Sequence, residues 1–171
     1  IKMNQWIFSN EIISNTFSNT KNKFYYQSDS RFMNDQVVEL QEDKICVLDG
    51  VILNSTEMEK ECEKETFHDC IVRFQSEDSL YFSKLRGFFS GVSYEKGKYI
   101  CFTNQTGDAP VFWYEKNGLF LVSNSVDYII KVLKDKEIKC EIDERAIKYL
   151  LTFGYMIDDS TIIMEIKRIT V

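Results

Sequence analysis

Few residues in this chain have the chemistry to act on a substrate. His68 is the sole histidine. Asp69 stands beside it, but the sequence places no Ser or Cys near it, so a catalytic pair has no nucleophile to serve and an exposed helical histidine is expected. Five cysteines, Cys46, Cys62, Cys70, Cys101 and Cys140, are odd in number and irregular in spacing. No C-x-x-C pair offers zinc its tetrahedral ligands, and no metal site is expected. Cys46 and Cys101 lie in apolar runs and read as core thiols. Cys62 lies in a Glu/Lys-rich segment and reads as exposed, with nothing beside it to lower its pKa. Asp108, next to Gly107, reads as a turn former rather than a ligand-binding carboxylate. Phe112, Trp113 and Tyr114 could form a recognition patch, although alternate strand residues more often supply core.

Bulk properties narrow the classes further. The net charge of −6 argues against nucleic acid, whose phosphates need a basic face. The apolar stretches fall far short of the ~20 residues that cross a bilayer as a helix. The opening Ile1-Lys2-Met3-Asn4-Gln5-Trp6 lacks the apolar centre of a signal peptide. The cysteine pattern fits a reduced, cytoplasmic setting. The 171 residues, 44% hydrophobic and 28% charged, suit one compact domain over 1–171, either end of which can be a boundary within a longer chain.

The elements that would position any site follow from pattern. Trp6-Ile7-Phe8, Phe24-Tyr25-Tyr26, Gln36–Leu40 and Lys44–Leu48 read as strands, the last closed by a turn at Asp49-Gly50. Residues 9–22 read as a loop with a helical turn near Ile12-Ile13. Ser55 or Thr56 can cap a helix with acidic residues in its first turn. Further helices fit Phe67–Phe74 and Ser79–Leu85. Gly87–Tyr94 and Tyr99–Thr103 read as strands, and Asn117-Gly118 as a hairpin turn joining Val111–Tyr114 to Leu119–Val122. Val126, Ile129, Ile130 and Leu133 form one helical stripe. Asp143 can cap another helix, with Ala146, Ile147, Leu150 and Leu151 inside, and Thr161–Ile166 reads as a last strand. Hairpin-linked strands with intervening helices predict an α+β fold of antiparallel sheets covered by helices.

Several segments, in order, resemble one family. Leu85-Arg86-Gly87-Phe88-Phe89-Ser90-Gly91-Val92-Ser93-Tyr94-Glu95 is similar to the L-x-G-x-F-A-F-A-x-x-D strand of asparagine synthetase amidotransferase domains. Thr103–Trp113 resembles their R-D-x-x-G-x-x-P-L-Y-Y loop, with Gly107 and Pro110, the only proline, at matching places. Leu121-Val122-Ser123-Asn124-Ser125 resembles F-A-S-E, and Asp49-Gly50-Val51-Ile52-Leu53-Asn54 resembles N-G-E-I-Y-N. Tyr149-Leu150, Gly154, Thr161 and Ile166 resemble the closing Y-L-x-x-G … T-x-x-x-x-I segment. The likeness spans about residues 45–171. It implies an N-terminal-nucleophile hydrolase-like fold: a four-layer αββα sandwich of two antiparallel sheets.

The resemblance also implies a chemistry that this chain has lost. In the family an N-terminal cysteine thiolate attacks the amide of glutamine. An Asn side chain and the next Gly amide hold the oxyanion. Here Gln5 falls near the nucleophile position, and an amide is no such nucleophile. Asp49 replaces the oxyanion Asn, and its negative charge would repel the one that develops in the reaction; Gly50 keeps one backbone donor. Val51 replaces an acidic substrate-binding residue, while Asn54 keeps the motif's last position. Lys23–Ser28, where the substrate-binding Arg should fall, has no arginine; Arg31, close by, is the alternative cation. Thr103-Asn104 replaces the later Arg-Asp pair.

The expected function is therefore that of a glutamine amidotransferase-like domain without glutaminase activity, with a structural, binding or regulatory role. Its expected partner is an ATP-dependent, amide-forming synthetase domain, in cis or in trans; nucleic acid and membrane are not expected partners, and an oligomer is compatible with the sequence. No cofactor is expected in this domain, ATP and Mg belonging only to a linked synthetase domain. The alternative is an active glutaminase domain whose cysteine precedes the sequence given.

Overall fold

The computed structural model of the protein describes residues 4–13, 16–17, 23–27, 35–41, 44–62, 66–67, 70–71, 79–95 and 97–170. The strands are β1 Gln5–Ser9, β2 Phe24–Gln27, β3 Asp35–Gln41, β4 Lys44–Ile52, β5 Gly87–Glu95, β6 Lys98–Thr103, β7 Phe112–Lys116, β8 Leu119–Ser123 and β9 Lys167–Arg168. The helices are α1 Ser55–Cys62, α2 Val126–Asp135 and α3 Glu144–Phe153, with a 3₁₀ helix over Ser79–Lys84. The fold is α+β, with two antiparallel sheets. The chain forms two compact units, one holding residues 29–109, the other joining residues 4–28 to 110–170.

In the first unit the sheet runs β3-β4-β5-β6 in chain order. Strand side chains alternate between faces. Cys46, Leu48 and Ile52 of β4, Phe89 of β5 and Phe102 of β6 therefore share one face, where they join Met58 of α1 with Phe82 and Leu85 in a buried cluster. Val47 and Asp49 of β4, with Ser90 and Val92 of β5, have the opposite parity and are buried too. A strand buried on both faces explains the continuous apolar run Ile45–Leu48.

The turn expected at Asp49-Gly50 is absent. Both residues continue β4, Asp49 opposite Gln36 and Ser90, Gly50 opposite Asp35 and Phe89. Glycine here answers to close approach: a Cβ on Gly50 would lie 2.1 Å from the Phe88 carbonyl oxygen. The sequence signal for a turn and the need for a missing side chain in a packed sheet are the same residue. Ser55 begins α1, and the preceding Asn54 carbonyl accepts from the Met58 N–H. The helix expected at 79–85 is the tighter 3₁₀ form, and most of Phe67–Phe74 lies outside the described residues.

In the second unit the sheet order is β2-β1-β8-β7-β9. Ile7, Tyr114, Leu119 and Leu121 pack with Tyr128, Ile129, Val132 and Leu133 of α2. The Asn117-Gly118 hairpin is as expected, with φ of 53° and 83°, the positive pair that this tight turn requires. Near the expected helical turn at Ile12-Ile13, the Thr16 N–H donates to the Ile13 carbonyl at 3.2 Å. Asp143 caps α3 as expected, its Oδ1 accepting from the Arg145 and Ala146 N–H groups at 2.9 and 3.1 Å.

Two expectations for this unit are corrected. Leu150 and Leu151 are not inside: they are 44% and 81% exposed, and Ala146 is the only fully buried residue of α3. Thr161–Ile166 is not a strand. The Thr161 hydroxyl donates to the Ile163 and Ile166 carbonyls and accepts from the Ile163 N–H, which folds the segment on itself. Ladder pairing with β7 falls instead to Lys167 and Arg168.

Candidate functional site

The sequence-derived site residues of β4 and its end form one continuous stretch. Asp49 is fully buried, while Val51, two residues on and of the same parity, is 42% exposed. Cross-strand partners extend a polar rung from Asp49 to Ser90 of β5 and on to Thr103 of β6. The Ser90 hydroxyl, also fully buried, has no hydrogen-bond partner among the described residues. The Thr103 hydroxyl donates to the Ala109 carbonyl at 2.5 Å. This rung carries a carboxyl group and two hydroxyls; it contains neither a thiol nor a cation.

Asn54 closes the stretch at 8% exposure. Its Nδ2 donates to the Lys84 carbonyl at 3.1 Å, and its Oδ1 accepts from the Arg86 N–H at 2.9 Å. The carboxamide therefore ties the start of α1 to the strand entry after the 3₁₀ helix. Such a side chain, satisfied at both ends, fixes backbone.

Gln5 belongs to the second unit. It is exposed at the start of β1, and its Nε2 lies 3.4 Å from Ser125 Oγ. The backbone on either side of it is held by one side chain. Asn124 Oδ1 accepts from the Trp6 N–H at 2.9 Å, and Asn124 Nδ2 donates to the Asn4 carbonyl at 2.6 Å. Ser123 Oγ donates to the Trp6 carbonyl at 2.5 Å and accepts from the Ser125 N–H at 2.9 Å. The clamp on β1 was not foreseen from sequence as a working group. The only signal was the run Ser123-Asn124-Ser125 between a strand and a helix, residue types that readily bond nearby backbone.

The loop after β6 is organised in the same manner. Asn104, buried, accepts from the Ala109 N–H at 3.0 Å and donates to Thr106 Oγ1 at 2.7 Å, and Thr106 donates to Asp108 at 2.6 Å. Asp108 is thus a loop former, as its position beside Gly107 predicts. Arg31, His68 and Asp69, and the side chain of Cys62, lie outside the described residues.

The remaining candidate groups show no activation. Burial pushes the Cys101 thiol up to about 12. Burial, helped by Glu165 and opposed by Lys134, pushes the Cys140 thiol up as well. A nucleophilic thiol needs the opposite shift. Cys46 and Cys70 are fully buried. Among the described residues no group of three or more His, Cys, Asp or Glu side chains is placed to hold a metal ion, and no helix is long and apolar enough to cross a membrane.

Two clefts are lined by described residues alone. One, of about 480 Å³, lies by the β7–β8 hairpin and is lined by lysines and glutamates of both signs, with Lys136 paired to Glu11 at 2.5 Å. The other, of about 300 Å³, lies over Asn54, Met58 and Arg86. Neither collects a nucleophile with a base. Set against models of known protein families and against curated proteins, the chain matches none.

Proposed function

We propose that the chain is a glutamine amidotransferase-like domain of the asparagine synthetase type that no longer hydrolyses glutamine and serves an ATP-dependent, amide-forming partner domain, in cis or in trans, as a structural, binding or regulatory element. In this reading the fold, α+β with two antiparallel sheets, is of the N-terminal-nucleophile hydrolase-like αββα class. ATP and Mg belong to the partner.

The observation that carries the loss of chemistry is Asp49. A fully buried carboxyl group occupies the strand position where the resemblance calls for a donor to an oxyanion. Removing one such donor costs about 10²–10³ in rate, and an ionised carboxylate in its place would oppose the developing charge further. Gln5, at the position the resemblance gives to the nucleophile, offers an amide.

The chain incubated with millimolar glutamine is expected to release ammonia no faster than buffer, as read by a coupled dehydrogenase assay. A steady rate that a thiol-alkylating glutamine analogue abolishes would overturn the proposal. Repeating the assay on a chain extended upstream to its first Met separates this reading from the alternative in which a preceding cysteine supplies the nucleophile.

A further inference from the structure

The cleft beside the β7–β8 hairpin, about 480 Å³, has a graded lining. Its floor is Tyr114 and Leu119, both buried, with Ile138 half-buried beside them. Its rim is exposed and charged, with Lys116, Lys139 and Glu141. An apolar floor under polar groups, in a cleft of this size, is the build of a small-molecule site.

Main-chain bonds hold the walls. Glu137, at φ 57°, ends α2, and the Ile138 N–H donates to the Leu133 carbonyl at 2.8 Å. Glu165 Oε2 accepts from the Glu141 N–H at 3.0 Å, and the Glu141 carbonyl accepts from the Met164 N–H at 2.9 Å. The half-buried Glu165 carboxylate is thus fixed through one oxygen, while its other oxygen has no hydrogen-bond partner among the described residues. The Tyr114 hydroxyl also has none, although the residue is 1% exposed, and it is not a sealed-in atom; its opening is the cleft. Burial raises the pKa of this hydroxyl, with Cys140 and then Glu165 adding to the effect, so it stays neutral with the Glu165 charge close by.

The lining carries three lysines and three glutamates. Lys136 and Glu11 answer each other. Lys116 and Lys139 form no ion pair among the described residues, and neither do Glu141 and Glu165. A ligand of one sign would leave the opposite set unanswered beside it. A molecule bearing both signs meets both sets.

We propose that this cleft binds a small zwitterion whose ammonium and carboxylate are separated by a short apolar chain. The ammonium donates to the second oxygen of Glu165 and to the Tyr114 hydroxyl oxygen. The carboxylate accepts from Lys116 and Lys139, and the chain lies on Leu119 and Ile138. The site does not rest on the glutaminase reading: Gln5, Asp49 and Asn54 do not line it. Because the rim is open to water, its charges bind weakly, and affinity in the millimolar range is expected.

The test titrates the whole chain with 6-aminohexanoate at about 50 mM salt, where exposed charges are only partly screened, followed by amide and methyl NMR shifts. Hexanoate and hexylamine, each with one charged end, are the controls. The zwitterion is expected to saturate shifts at Leu119 and Ile138, and each control to bind about tenfold or more weakly. Glu165→Gln keeps an oxygen for the Glu141 N–H and loses the charge, and should weaken the zwitterion about tenfold. Lys148→Gln, which removes a charge outside the cleft, should bind as the parent does. The urea midpoint checks that both variants are folded. Absence of saturable shifts, shifts confined to other residues, equal binding by Glu165→Gln, or a control that binds as tightly as the zwitterion would each overturn the proposal.

Discussion

A methyl group added at Gly50 would stand 2.1 Å from the Phe88 carbonyl oxygen and 2.5 Å from the Phe89 Cα, both backbone atoms of the neighbouring strand. Neither can swing aside as a side-chain tip can. Gly50→Ala is therefore expected to destabilise the protein by about 3 kcal/mol, the upper range for overpacking, measured by urea denaturation with the m-value checked for two-state behaviour. Asn124 is the second position where one side chain carries a disproportionate share. Its carboxamide satisfies the Trp6 N–H and the Asn4 carbonyl, both on nearly solvent-free residues. Removing it leaves two backbone groups to find other partners, so Asn124→Ala is expected to cost about 2 kcal/mol. Hydrogen exchange at Trp6 should accelerate more than at Tyr114 in the same sheet. Equal acceleration at both sites would mean that Asn124 does not clamp the start of β1.

At the scale of elements, α3 shows how a local signal and its packing can part company. The cap is made as the sequence predicts: Asp143 accepts from two first-turn amides, and Gly154, at φ 80°, ends the helix with its N–H bonded to the Leu150 carbonyl. With only Ala146 fully buried, little tertiary packing supports the helix. Asp143→Ala should therefore cost about 1 kcal/mol, and the loss should appear mainly as faster amide exchange within residues 144–153. A uniform loss of protection across the second unit would show instead that α3 unfolds together with the sheet.

For the whole molecule the clearest pH effect lies on the alkaline side. Burial raises the Cys101 thiol from 9.0 to about 12. Burial, with a smaller contribution from Tyr25, raises the Tyr128 hydroxyl from 10.0 to about 12. In both cases the folded state holds its proton where the unfolded chain has released it. Stability from these groups is therefore complete below pH 9 and falls as pH rises from about 9 toward 12. The denaturation midpoint should drop across that window, and the drop should be smaller in Cys101→Ser, where one of the two groups no longer titrates. Native Cys101 should also alkylate far more slowly than the same thiol in urea. A midpoint independent of pH up to 12 would contradict the assignment.

Some of these features were legible in the residues alone, because they depend on neighbours in the chain. The Asn117-Gly118 hairpin needs two adjacent residues that accept positive φ, and the Asp143 cap needs a carboxylate before a helical stripe. The antiparallel α+β class followed from hairpins and alternation. Other features depended on distant parts of the chain. Asp49-Gly50 has the composition of a turn, yet it continues β4 because Phe88 and Phe89, nearly forty residues on, leave no room for a side chain there. Thr161, through its own hydroxyl, folds an apolar run that keeps only an isolated bridge, Ile163 to Ile142, in place of a strand. The periodicity of α3 identified an apolar face but not whether anything covered it. The sequence by itself determined those turns and caps that depend only on chain neighbours, such as Asn117-Gly118 and Asp143. Only the tertiary structure decided which polar groups are buried and which apolar ones are bare, since burial depends on atoms brought together from elsewhere in the chain.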